Sequence, residues 1–132
     1  MTRRQLVISR ILFAAYLVAV AVLCFANFPS SGRGPRELWG IPIDKVVHFL
    51  MFFPLPALAY LAFDRYKGKR RPALLWTAVA FLGGCAYAAF TEWVQSYLPY
   101  RSGDPADFKA DFIALAACIL ILLIIILAKH KK

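Results

Sequence analysis

Four long stretches of this chain are almost purely apolar, and its polar residues collect between them. Residues 11–28, ILFAAYLVAVAVLCFANF, carry no charge. A helix needs about 20 apolar residues to cross the hydrocarbon of a bilayer, so this run predicts a first span. With their flanks, the four runs predict spans at about 7–28, 46–63, 72–95 and 111–128. The second holds His48 near its start and Pro54 and Pro56 in its middle, which predicts a kink whose freed carbonyls are covered by neighbouring helices. The third continues past Thr91 into Glu92, Trp93 and Gln95 and should end before Pro99. Gly83, Gly84, Ala88 and Ala89 give it a small-residue face suited to close helix packing.

The connections fit this reading. Residues 29–45, PSSGRGPRELWGIPIDK, are punctuated by Pro and Gly and should be irregular, with Trp39 at the membrane interface. Residues 64–71, DRYKGKRR, read as a short basic loop between antiparallel helices, and 98–111 as a polar connection. A signal peptide is the competing reading of the first run. Its apolar stretch is long, however, it lacks an AxA-like end, and Ala21, Val22 and Leu23 make a poor lipoprotein signal before Cys24. The helix is therefore expected to remain as a span.

Composition sharpens the class. Of 132 residues, 61% are apolar and 17% charged, a balance that favours a membrane protein and excludes a basic disordered tail or an ordinary nucleic-acid module. The expected fold is all-α, one domain over 1–132 with four transmembrane helices. Cys24, Cys85 and Cys118 sit apart in apolar runs without CxxC or Cys/His neighbours, so they read as small buried hydrophobes. The net charge of +9 is unevenly spread. Eleven of the 16 Lys and Arg residues lie at the two termini and in the 64–71 loop, while six of the seven acidic residues lie on the opposite side. The positive-inside rule then puts both termini in the cytoplasm, with the protein multi-pass and its basic face against anionic lipid. No nucleic-acid partner is needed.

The candidate chemistry lies at the outer boundary. A helix entering at Pro72 rises about 1.5 Å per residue and reaches the far interface near Glu92. The second span runs the other way, so Asp44 lies at the same level and His48, one turn on, shares its face. The last span opens at Asp111, with Asp107 a turn above it if the helix begins early. Asp44, Lys45, His48, Glu92, Gln95, Arg101, Asp104, Asp107 and Asp111 are therefore expected near one depth, where polar groups usually face protein, water or ligand. His48 needs a partner there, with Asp44 or Glu92 the expected acceptor. Helix caps and mutual ion pairs are the plainer reading of the same cluster, with Asp107 and Asp111 serving as helix N-terminal charges. No nucleophile elbow, phosphate-cradling glycine loop or HExxH pair is present, and His48 and His130 belong to opposite faces.

Asp44, Lys45, His48 and Phe49 opening one helix, then Glu92, Gln95, Pro99 and Arg101, then Asp104 and Asp107 opening the last, form an ordered series of blocks. The pattern resembles the VanZ-like family of small bacterial membrane proteins over roughly residues 40–120. It departs from that family at Asp111 and Ala114, where Asn and Gly are expected. The resemblance implies a cell-envelope protein linked to glycopeptide resistance of the teicoplanin type, without an assigned reaction.

Two function classes follow, with a third as the plain alternative. A binding module would use Arg101, helped by Lys45 and Lys109, to hold a phosphate or carboxylate, while Asp44, His48, Glu92 and Gln95 bond sugar or peptide. Its ligands would be a phospholipid headgroup, a lipid-linked wall precursor or a lipoglycopeptide. An enzyme acting on such a molecule would use His48 or Glu92 as general base and Arg101 for developing negative charge. It needs no cofactor, although Glu92, Asp104, Asp107 and Asp111 are ligands of the type that hold Mg or Ca. A scaffold would use the cluster only to fix helix ends, and a transporter is disfavoured by spans whose middles are nearly free of polar groups.

Overall fold

The computed structural model describes residues 1–26, 37–63, 69–101 and 103–129. Residues 27–36, 64–68, 102 and 130–132, which take in much of the first connection, the basic loop and the end of the basic tail with His130, lie outside the described residues. The chain runs α1 (Arg3–Phe25), β1 (Glu37–Leu38), β2 (Ile41–Pro42), α2 (Ile43–Phe52), α3 (Leu55–Ala62), α4 (Arg70–Tyr97) and α5 (Pro105–Lys129). Helix α1, the α2–α3 pair, α4 and α5 are each long and apolar enough to cross a membrane. Arg10 of α1 donates to the Ala62 carbonyl at the end of α3, and Arg101 beyond α4 donates to Leu23 and Ala26 at the end of α1.

Each boundary has a local cause. Thr2 and Gln5 form a reciprocal capping box at the start of α1. Pro54 and Pro56 lack the amide hydrogens that would continue α2, so the span breaks between Phe52 and Leu55. The Tyr16 hydroxyl then donates to the Met51 carbonyl at 2.7 Å, as expected for a kink covered by its neighbour. Helix α5 starts six residues before the expected position, because Pro105 suits the first turn and Asp104 accepts the Ala106 N–H.

One element of the first connection was not foreseen. Glu37–Leu38 pairs antiparallel with Ile41–Pro42 through a two-residue turn in which Trp39 (φ 52°) and Gly40 (φ 77°) both have positive φ. That geometry matches the twist of a tight hairpin. It holds Trp39, 92% exposed, at the tip.

The core lies where α4, α5 and the α2–α3 span meet, around Phe52 and Leu115, with Val20 and Cys24 of α1 closing it. Gly84 and Ala88 are its small residues on α4, and a Cβ at Gly84 would stand 2.8 Å from a Leu115 methyl. Gly83 and Ala89 lie outside this contact. Outward faces stay apolar, as at Ile11, Val18, Leu120 and Ile124, which suits hydrocarbon as solvent.

Candidate functional site

The start of α2 follows the hairpin directly, so Asp44, Lys45 and His48 occupy its first two turns. Asp104, Asp107 and Asp111 descend the start of α5 beside it. Lys45 Nζ donates to Asp44 Oδ2 at 2.9 Å, to Asp104 Oδ2 at 2.6 Å and to Asp107 Oδ1. Asp107 Oδ2 stands 3.6 Å from His48 Nε2, beyond hydrogen-bond reach. His48 Nδ1 lies 3.0 Å from Asp111 Oδ1. Side-chain exposure falls steadily along this chain of alternating charge, from 58% at Asp44 and 45% at Asp104 to 6% at His48 and 0% at Asp111.

The partner of His48 is therefore Asp111, not Asp44 or Glu92. The early start of α5 explains the correction: it carries Asp111 a turn and a half down the helix, level with His48. The Mg or Ca ligands suggested from the sequence, Glu92, Asp104, Asp107 and Asp111, are not the carboxylates that come together among the described residues. Asp44, Asp104 and Asp107 each offer an oxygen within 4.8 Å of the others, but the Lys45 ammonium bonds all three. That seat is filled by the chain's own cation, and the residues do not fit a resident metal there.

Glu92 has a different task. Its Oε1 accepts the Asp104 N–H, tying the 98–104 connection to α4. A Cβ on Gly103 would lie 2.8 Å from Ser96 Cβ and 3.2 Å from Ser96 Cα, so this approach depends on glycine. Glu92 faces a shallow groove with Gly103, Pro105 and Phe108, apart from His48. The second oxygens of Glu92 and Asp111 are buried without a hydrogen-bond partner among the described residues, an arrangement uncommon enough to mark the place. Asp104, outside the spans, has its carboxyl held below the usual carboxylate range, chiefly by the Lys45 ammonium and then by the Ala106 N–H.

The third group closes on the end of α1. Gln95 Nε2 donates to the Cys24 carbonyl at 2.8 Å, Tyr100 to Phe25 at 2.7 Å, and one terminal nitrogen of Arg101 to both Leu23 and Ala26 at 3.1 Å. These bonds satisfy carbonyls that a helix end leaves open, and a cation there suits the helix dipole.

Between this group and α2 lies a cavity of about 420 Å³. Its polar wall includes Asp44, His48, Asp107, Gln95 and Arg101, and its apolar wall Leu23, Ile43, Val47 and Met51. Leu23, Ile43 and Val47 are 45%, 38% and 47% exposed, so the apolar wall continues onto the outer surface of the helices. The size lies within the usual range for small-molecule sites.

Of the nine expected residues, Asp44, His48, Gln95, Arg101 and Asp107 line this cavity. Lys45, Asp104 and Asp111 hold those side chains from behind, and Glu92 fixes the loop. Lys109 lies on another groove with Trp39 and Phe49. Tyr100, Met51 and Gly103 were not anticipated. A glycine next to a capping Asp in a Pro-rich connection is the one signal that could have exposed Gly103.

Residues 13–127 match the VanZ/LLP1 family. The chain is also similar to the uncharacterized protein C11E3.10 of the fission yeast Schizosaccharomyces pombe, with 39% identity over 121 residues covering 91% of this chain and 69% of that protein. No solved structure matches.

Proposed function

The chain belongs to the VanZ/LLP1 family, and from that premise we propose that this multi-pass membrane protein binds the polar head of an amphiphile at one membrane boundary. The observation that carries the reading is the two-sided cavity: Arg101, His48 and Asp44 on one wall, lipid-facing Leu23, Ile43 and Val47 on the other. A headgroup can meet charge there while its chains stay in hydrocarbon. With one nitrogen fixed on two α1 carbonyls, the Arg101 guanidinium is pre-oriented and still has three N–H donors for a phosphate or carboxylate. Lys45 is committed to three carboxylates, which supports Arg101 as the anion contact.

By the distribution of Lys and Arg, the site faces outward from an inner membrane with both termini in the cytoplasm. A lipid-linked wall precursor or a teicoplanin-type lipoglycopeptide fits that position. A relative in a yeast argues for a ligand chemistry shared by bacterial and fungal membranes, and a phospholipid headgroup is the simplest of that kind.

A second reading, a hydrolase or transferase acting on the bound amphiphile, is favoured by the His48–Asp111 pair. A buried carboxylate at Nδ1 orients an imidazole whose other nitrogen faces a cavity, as a general base requires. Glu92, engaged with the loop, is the weaker candidate.

The test is thermal unfolding of delipidated protein in neutral detergent with increasing membrane lipid extract. Binding raises the midpoint with lipid concentration. Val47→Trp, which fills the cavity without touching the ion pairs, should abolish that rise, and Arg101→Ala should reduce it. An equal rise in wild type and Val47→Trp contradicts the reading.

A further inference from the structure

The charges of the cavity are separated in a way that selects among headgroups. On the α4 side stands Arg101, anchored on α1. On the α2 side stand Asp44 and Asp107, which with Asp104 surround a single ammonium, Lys45, so that wall keeps an excess of negative charge. Asp44 and Asp107 each give one oxygen to Lys45 and retain a second.

His48 belongs to the same wall. It is 95% buried, with 5% of its surface exposed, yet it lines the cavity. Its Nδ1 is engaged with Asp111 Oδ1 at 3.0 Å, which leaves Nε2 as the ring nitrogen available to the cavity. No hydrogen-bond partner of Nε2 lies within reach among the described residues, Asp107 Oδ2 being 3.6 Å away. The α2 side therefore offers two carboxylate acceptors, Asp44 and Asp107, with His48 beside them, and the opposite side a fixed guanidinium.

We propose that the cavity takes a zwitterionic headgroup pairing a primary ammonium with a phosphate, as in an ethanolamine phospholipid. A primary ammonium brings positive charge and N–H donors to the two carboxylates, and its phosphate meets the bidentate fork of Arg101. A glycerol headgroup brings the anion and neutral hydroxyls but no positive charge. A choline headgroup brings the positive charge without N–H donors. The apolar wall of Leu23, Val47 and Met51 receives the start of the chains. This inference rests on the headgroup-binding reading above and names its ligand class.

The test is native mass spectrometry of the full chain in detergent, offered an equimolar mixture of phosphatidylethanolamine, phosphatidylglycerol and phosphatidylcholine with identical acyl chains. Wild type should retain phosphatidylethanolamine about tenfold over the other two, the size expected for a charged hydrogen bond. Asp44→Asn, which removes one carboxylate charge from the ammonium side, should narrow that preference. The lipid series itself is a second probe that needs no variant. Equal or greater retention of phosphatidylglycerol, or parity of choline with ethanolamine, overturns the ammonium inference and leaves headgroup binding standing. Wild type that retains no more of any lipid than Val47→Trp removes the headgroup-binding reading itself.

Discussion

His48 Nδ1 lies 3.0 Å from Oδ1 of Asp111, a carboxylate with no exposed surface, although 63 positions separate the two residues in sequence. The contact joins α2 and α5 and leaves Nε2 as the ring nitrogen without a hydrogen-bond partner within reach among the described residues. It is both a structural bond and the determinant of what His48 can do.

Removing that acceptor has a graded consequence. Asp111→Ala leaves a buried imidazole N–H without a partner and should destabilise the protein by about 2 kcal/mol, the range for a charged hydrogen bond. Asp111→Asn keeps an amide oxygen for Nδ1–H and should lose less than half as much. Unfolding midpoints in mild detergent check the order; equal losses would show that the bond to His48 is immaterial.

Lys45 occupies the position a metal ion would take among Asp44, Asp104 and Asp107. Lys45→Met should crowd three uncompensated carboxylates and lower the unfolding midpoint. Millimolar Ca should restore much of the loss, because oxygen ligands at this spacing suit a hard cation. Wild type should show no comparable response, and a variant insensitive to Ca would contradict the assignment.

Two glycines should respond in opposite ways to one methyl group. Gly103→Ala drives a Cβ against Ser96 Cα and Cβ and pushes the Asp104 N–H off Glu92, at about 1–3 kcal/mol. Gly83→Ala meets nothing within 4 Å and should be neutral or mildly stabilising, since Ala is the better helix former. Comparable losses at both sites would refute the close packing of the 98–104 connection on α4.

Asp104 predicts a pH dependence. Its folded carboxyl titrates below the usual range, with the Lys45 ammonium as the first cause. The stabilisation is thus fully present above the ordinary carboxylate pKa of about 3.9 and is lost as pH falls through the depressed folded value. Asp104→Asn keeps a side-chain oxygen for the Ala106 N–H and removes only the charge. The gap between wild type and variant should therefore stay constant from pH 7 to about 5 and close only in stronger acid. Closure well above pH 5 would assign it to another group.

The four apolar spans were legible because hydrophobic length alone sets them. Pro54 and Pro56 announced the break, and the Tyr16 hydroxyl covers it. The pairing within the cluster was not legible. Which carboxylate meets His48 depends on where α5 begins, and Asp104 with Pro105 moved that start upward by six residues. The distinct tasks of the two long cations were equally hidden, since only packing shows Lys45 enclosed by carboxylates while Arg101 is braced on α1. The hairpin escaped notice because its strands have two residues each and its turn places Trp39 at positive φ, where glycine or asparagine is the usual signal.

The most direct test of a headgroup-binding cavity is the phospholipid phosphorus carried by the purified chain after exhaustive washing in mild detergent. Wild type is compared with Val47→Trp in the cavity and with Leu120→Trp on the outer face of α5. Wild type and Leu120→Trp should each hold one phosphorus-bearing lipid per chain more than Val47→Trp. Equal phosphorus in all three proteins would mean that the cavity holds no headgroup.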